Sequence, residues 1–149
     1  FQEDRFGEPF LGLLDEFEVP HQRVRVELTE GTLLRHPMKV RSSLERLIQF
    51  GVHTALDDFG TGYSSLSYLH QFPLQMLKID RSFVTALDED DGSSGTAIVS
   101  AILAMAASLD LQVVAEGIET ESQRRRLIHM GCRYGQGFLF ARPQRLNLL

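Results

Sequence analysis

Glu27, Asp57, Asp58, Lys78 and Glu116 fall at or near the C-terminal ends of segments that read as β-strands. Glu27 shares a face with Arg25, one residue before the apolar Val24, Val26 and Leu28 face ends. Asp57 follows His53 and Ala55 on one face, and Asp58 is expected on the turn beside it. Lys78 and Asp80 point one way, whereas Leu77 and Ile79 point the other. Glu116 follows Val114 and directly precedes Gly117. In α/β folds this edge of the sheet is where active sites are built. Four carboxylates converging there repel one another unless a cation neutralises them, and hard oxygen donors select Mg2+ or Mn2+ over zinc. The adjacent pair Asp57-Asp58 can reach two ions, with one side chain bridging, and two ions suit in-line phosphoryl transfer. Lys78 is one of only two lysines against 13 arginines. Its compact ammonium fits beside a phosphate or a nucleophilic water where a guanidinium would not. Singly, each residue also reads as a cap, a turn residue or a snorkelling side chain. Their recurrence on one edge of four strands favours a site.

The elements that must position them alternate between helix and strand. Pro9 opens an amphipathic helix carrying Phe10, Leu11, Leu13, Leu14 and Phe17, and Pro20 ends it. A strand is expected over Arg23 to Leu28. A helix follows from about Lys39 to Phe50, with Leu44, Leu47 and Ile48 as its stripe and Gly51 as its left-handed terminator. His53 to Asp58 is the next strand, stopped by the turn Gly60-Thr61-Gly62. A short helix from Ser64 to Leu69 and a strand from Met76 to Asp80 come next. The acidic, then small, stretch from Asp88 to Gly95 reads as a solvated loop; it lacks the ligand spacing of a calcium loop. Thr96 to Leu109 is apolar almost all round and is expected to be a well-buried helix. Leu111 to Ala115 is a strand, Thr120 and Gln123 form a capping-box pattern before a helix ending at Gly131, and Tyr134 to Phe140 is the last strand. Five strands separated by helical segments indicate parallel βαβ units in a single domain over residues 1–149.

Composition narrows the function classes. With 43% hydrophobic residues, 23% charged residues and a net charge of −5, the 149-residue chain reads as a soluble globular domain. The acidic balance argues against a DNA or RNA polymer as partner, which would need a basic face. Arg124, Arg125 and Arg126 splay around a helix and read as a solvated face. The single Cys132 excludes an internal disulfide and reads as a small buried hydrophobe. No apolar run approaches the roughly 18–20 residues of a membrane span, and no secretory-leader pattern opens the chain. A cytoplasmic setting is expected, with any membrane anchorage left to another domain of a parent protein.

Five segments carry a more specific signal. Val26-Glu27-Leu28-Thr29-Glu30, the run from Ala55 to Ser65 (ALDDFGTGYSS), the run from Leu77 to Val84 (LKIDRSFV), the run from Val114 to Thr120 (VAEGIET) and Gly135-Gln136-Gly137-Phe138 resemble, in order and spacing, the EAL-domain phosphodiesterases of bacteria. The resemblance runs from the first residue to about Pro143. It implies a (β/α)8 TIM-type barrel and two-metal hydrolysis of cyclic di-GMP to linear pGpG. By that resemblance Glu27 and Asp57 would ligate a first Mg2+ or Mn2+, with Asp57 bridging, and Asp58 and Glu116 would complete the second. Lys78 would hold the attacking water or the phosphate, and Glu116 would orient or deprotonate that water. Glu30 matches a glutamate that steadies the loop after the DDFG strand, a loop linked to dimerisation, so a homodimer is expected. Asp80, Glu119 and Gln136 match supporting positions around metal and substrate. Sensory or diguanylate-cyclase-like domains are expected in the parent.

The chain departs from the family pattern in one respect. The Glu-Ala-Leu motif of an early strand, whose glutamate is a metal ligand, is absent, and so is the asparagine of the next strand; the only asparagine is Asn147. Phe1-Gln2-Glu3-Asp4 resembles the segment just after that asparagine's strand. A closed barrel takes about 250 residues, so the chain is expected to form roughly the last three-fifths of one. The fragment alone is expected to be inactive, and its open sheet edges to invite pairing. A receptor or dimerisation module without catalysis is the alternative. An unrelated metal-dependent barrel lyase is disfavoured by the DDFGTGYSS run.

Overall fold

The structure, a computed structural model, describes residues 7–60, 69–88 and 93–144. The expected Ser64 to Leu69 helix (but for Leu69), the Thr61-Gly62 part of the turn, the Phe1 to Asp4 segment, the middle of the acidic loop and Asn147 lie outside these residues.

Five strands form one parallel sheet in the order β1-β2-β3-β4-β5: β1 Arg25–Thr29, β2 His53–Phe59, β3 Met76–Ile79, β4 Gln112–Ala115 and β5 Tyr134–Gly135. Helices α1 Gly7–Glu16, α2 Glu30–Arg35, α3 Pro37–Gln49, α4 Arg81–Thr85, α5 Ser93–Ser108 and α6 Glu121–His129 connect or flank them. Helices lie between β1 and β2, between β3 and β4 and between β4 and β5, as parallel pairing requires. β3 is central and buried at every position, with Leu77 and Ile79 fully buried on the helix-facing side. Around them pack Leu44, Leu56, Val84, Leu87 and Val99, so one apolar layer joins the sheet to α3, α4 and α5. Among the described residues no helix is long and apolar enough to cross a membrane.

The alternation in β1 is as expected, with Leu28 buried and Arg25 and Glu27 exposed, but the strand begins at Arg25. Pro20 starts a 3₁₀ turn over His21–Arg23 that takes up the preceding residues. Helix α3 carries Pro37 in its first turn and buries Val40, Leu44 and Leu47, and Gly51 takes a left-handed φ of 88°. The capping box at Thr120 and Gln123 is formed, and Thr120 Oγ1 also donates to Asp88 at 3.0 Å.

Four expectations need correction. Helix α5 is not buried all round: Val99, Ile102 and Ala106 face the core, while Ala97, Ile98, Ala101 and Ala104 are exposed. A helix outside the sheet has only one inward stripe, and an alanine-rich outer face tolerates water. The same geometry leaves Leu13 and Phe17 of the first helical segment exposed, while Leu11 packs on Leu47 and Val52. The small residues Ser93 to Gly95 do not belong to a loop but open α5. The last strand stops at Gly135, not Phe140. Gln136 N–H still donates to Ala115 O, but the chain then turns across Ile118. A Cβ at Gly137 would lie 2.2 Å from Ile118 O and 2.3 Å from Ile118 N, so glycine lets the two backbones touch. The short helices α2 and α4 have too little periodicity to be read from the sequence.

Candidate active site

The inward face of the sheet delivers the charged residues to the C-terminal ends of the strands. Glu27 comes from β1, Asp57 and Asp58 from β2, Lys78 from β3, and Glu116 follows β4. Lys78 lies between them, because β3 pairs with β2 on one side and β4 on the other. Its Nζ is 2.7 Å from Glu27 Oε2, 3.0 Å from Asp57 Oδ1 and 2.7 Å from Glu116 Oε1. Burial alone would make the Lys78 ammonium easier to deprotonate. The hydrogen bonds it donates to Glu116, Glu27 and Asp57 outweigh that and hold it above the ordinary lysine range. Burial pushes the Glu116 carboxyl up; Lys78 opposes the shift, while Asp57 and Glu27 reinforce it. Glu116 Oε1 also accepts from Gln136 Nε2.

Asp58 is part of the strand rather than of the turn expected beside it. Leu56 pairs with Leu77 and Phe59 with Ile79, so three steps along β2 match two along β3. This is a β-bulge, and Asp58 sits in it with φ 52°. In a regular strand adjacent side chains point to opposite faces. The bulge instead lets neighbouring carboxylates serve one site, with Asp58 N–H donating to Asp57 Oδ1 at 3.1 Å. One carboxylate oxygen from each of Asp57, Asp58 and Glu116 lies within 4.8 Å of the others. Three oxygen donors from two strand ends, at that separation, fit a hard divalent cation. Glu27 stands outside this trio and is joined to it through Lys78.

The remaining expected residues have other immediate partners. Glu30 opens α2, is buried, and accepts the Gly60 N–H at 2.8 Å through Oε1, which ties β1 to the end of β2. Its Oε2 is buried with no partner among the described residues. Asp80 caps α4, accepting from Ser82 N–H at 3.0 Å and from Ser82 Oγ. Burial raises the Asp80 carboxyl, but these hydrogen bonds and that of Arg81 prevail and hold it below the ordinary aspartate range. Stability from such a group is complete above the unfolded carboxyl's range and disappears as pH falls through the lowered folded one. Asp80→Ala should therefore cost about 1 kcal/mol at pH 7, with the difference from the parent shrinking below roughly pH 4. Thermal unfolding across pH measures it, and a difference constant with pH would reject the cap. Glu119 pairs with Arg81 at 2.9 Å. That arginine, which the sequence reading passed over, spans the loops after β3 and β4 and lies over Gly117. Its place directly after the strand-end Asp80 was the available signal.

Cys132 is buried, donates to Tyr134 O at 3.3 Å, and burial pushes its thiol up. Arg124 and Arg125 pair with Glu121 along α6, the solvated face expected of them.

A parallel α/β sheet of incomplete-barrel form, with an acidic and lysine-centred cluster at its strand ends, defines the class: a TIM-type α/β domain with a candidate cation site. The EAL domain family model matches residues 1–143, and the chain belongs to that family. It is 43% identical over 137 residues to the cyclic di-GMP phosphodiesterase RocR of Pseudomonas aeruginosa, covering 92% of this chain and 34% of RocR. Among solved structures, the c-di-GMP complex of the phosphodiesterase PaMucR superposes with a TM-score of 0.86 at 42% identity, covering 93% of this chain and 56% of that one. The manganese and cy-diGMP complex of BlrP1 from Klebsiella pneumoniae gives a TM-score of 0.81 at 33% identity, covering 93% of this chain and 36% of that one. The chain thus spans about a third of the length of RocR.

Proposed function

We propose that this chain supplies the catalytic strand ends of a phosphodiesterase that hydrolyses cyclic di-GMP to linear pGpG. The observation that carries the reading is the cluster of Asp57, Asp58 and Glu116 around Lys78, in a chain of the EAL domain family. Asp57, Asp58 and Glu116, with Glu27 beside them, would hold two divalent ions, Mg2+ or Mn2+. Those ions, when bound, supply electrophilic stabilisation of the charge developing on the phosphoryl oxygens.

The chain's own residues do the rest. A product with a 5′-phosphate requires that the oxygen of water bonds to phosphorus while the P–O3′ bond breaks. Glu116 is placed to take the proton of that water. Gln136 fixes the orientation of Glu116 by donating to Oε1. Lys78, kept protonated by its neighbours, donates to a phosphate oxygen or to the attacking water. Asp80, through α4, and the Arg81–Glu119 pair hold the loops after β3 and β4 in place. Glu30 does the same for the end of β2.

A cytoplasmic setting, a homodimer and accompanying sensory or diguanylate-cyclase-like domains belong to the same reading of the whole protein. For the 149 residues taken alone we infer no turnover, since the sequence contains neither the Glu-Ala-Leu glutamate nor the strand asparagine of the family pattern. The test is to incubate the protein carrying this chain with cyclic di-GMP and Mg2+ or Mn2+, and to separate the products by chromatography. Appearance of pGpG that stops on chelation is expected. Tight nucleotide binding by calorimetry with no pGpG would replace the enzyme by a receptor.

A further inference from the structure

Lys78 makes ion pairs with carboxylates from three separate parts of the sheet edge, and two of them, Asp57 and Glu116, belong to the cation-fitting trio. An ammonium and a divalent ion cannot share those oxygens cheaply. Both need the same lone pairs, and at such distances their like charges repel strongly even in a partly solvated site. Without a counter-charge, Glu27, Asp57, Asp58 and Glu116 would bring four negative groups to one edge. Lysine suits the task of a removable counter-ion. Its charge is a single point on a flexible stem, whereas an arginine fork would lock onto a carboxylate through two parallel bonds.

We propose that Lys78 is a positioning residue, a built-in counter-ion that assembles the carboxylate cluster before any divalent ion arrives and is driven off Asp57 and Glu116 when one binds. The displaced ammonium is then free to meet the phosphate. One side chain thus preorganises the carboxylates, sets the threshold for ion binding and becomes available for substrate only once the ion is bound. This inference rests on the reading of Asp57, Asp58 and Glu116 as the cation site.

The test compares the full chain with its Lys78→Met variant, using Mn2+ as the probe and electron paramagnetic resonance to count bound ion. Removal of the competing charge should tighten Mn2+ binding by at least roughly tenfold. The variant should also unfold at a lower temperature than the parent in chelator, and gain more on adding Mn2+. A lysine that merely supported the fold would lower stability in both conditions and could not tighten binding. A folded variant that binds Mn2+ equally or more weakly overturns the proposal while leaving the cation site in place. If neither protein binds Mn2+, the cation reading and the proposal fall together. A second measurement needs no variant. The 1H–15N signal of the Lys78 ammonium, protected in chelator by its three partners, should shift or exchange away on titration with Mg2+. An unchanged signal once Mg2+ is bound would also overturn the proposal.

Discussion

Glu116→Gln, in the protein that carries this chain, is expected to reduce cyclic di-GMP hydrolysis by roughly a thousandfold or more. Glu116 stands where the ammonium, the Gln136 amide and the cation-fitting trio meet. It receives Lys78 at 2.7 Å, accepts from Gln136, and shares the cation-fitting trio with Asp57 and Asp58. The amide keeps the shape of the side chain but removes the base and one anionic donor. Folding should survive, because the structure already disfavours the ionised form of Glu116 through burial and its acidic neighbours. The expected signature is therefore lost pGpG formation with a thermal midpoint changed by no more than a few degrees. A loss under tenfold would remove Glu116 from the chemistry. A large fall in thermal midpoint would instead make it a structural group.

Leu77→Ala has the largest expected effect on stability, about 2–5 kcal/mol. Leu77 is fully buried in the central strand, pairs in register with Leu56 and Val113, and lies in the layer that joins sheet to helices. Truncation leaves a hole between elements that are held from both sides, so collapse can fill little of it. Urea unfolding should show a lower midpoint at an unchanged slope. Leu13→Ala makes the contrast, since Leu13 is 51% exposed and its removal should cost under about 0.5 kcal/mol. Equal costs at the two positions would mean that the helix-facing side of β3 is not the core.

Much of this architecture was legible in the residues. Alternation in β1, the apolar stripe of α3, the capping box at Thr120 and the strand-end positions of Glu27, Lys78 and Glu116 are local patterns, set by a repeat of two or of 3.6 residues. The errors arose where a neighbour intervenes. The outer face of α5 is exposed although its composition suggested burial, because composition does not say which side meets the sheet. The segment after Gly135 has the alternation of a strand, yet close contact between Gly137 and Ile118 turns it away.

The candidate site divides along the same line. By itself the sequence determined the residue types, their places at successive strand ends and the resemblance to the EAL domains, since each depends on spacing along one chain. Only the tertiary structure decided that a bulge brings the adjacent Asp57 and Asp58 together, that Lys78 is held by three carboxylates, and that Gln136 steadies Glu116. The reason is physical. A bulge is a property of the register between two strands, and an ion pair across 51 positions is a property of how strands lie side by side. Neither is encoded in any short window of sequence.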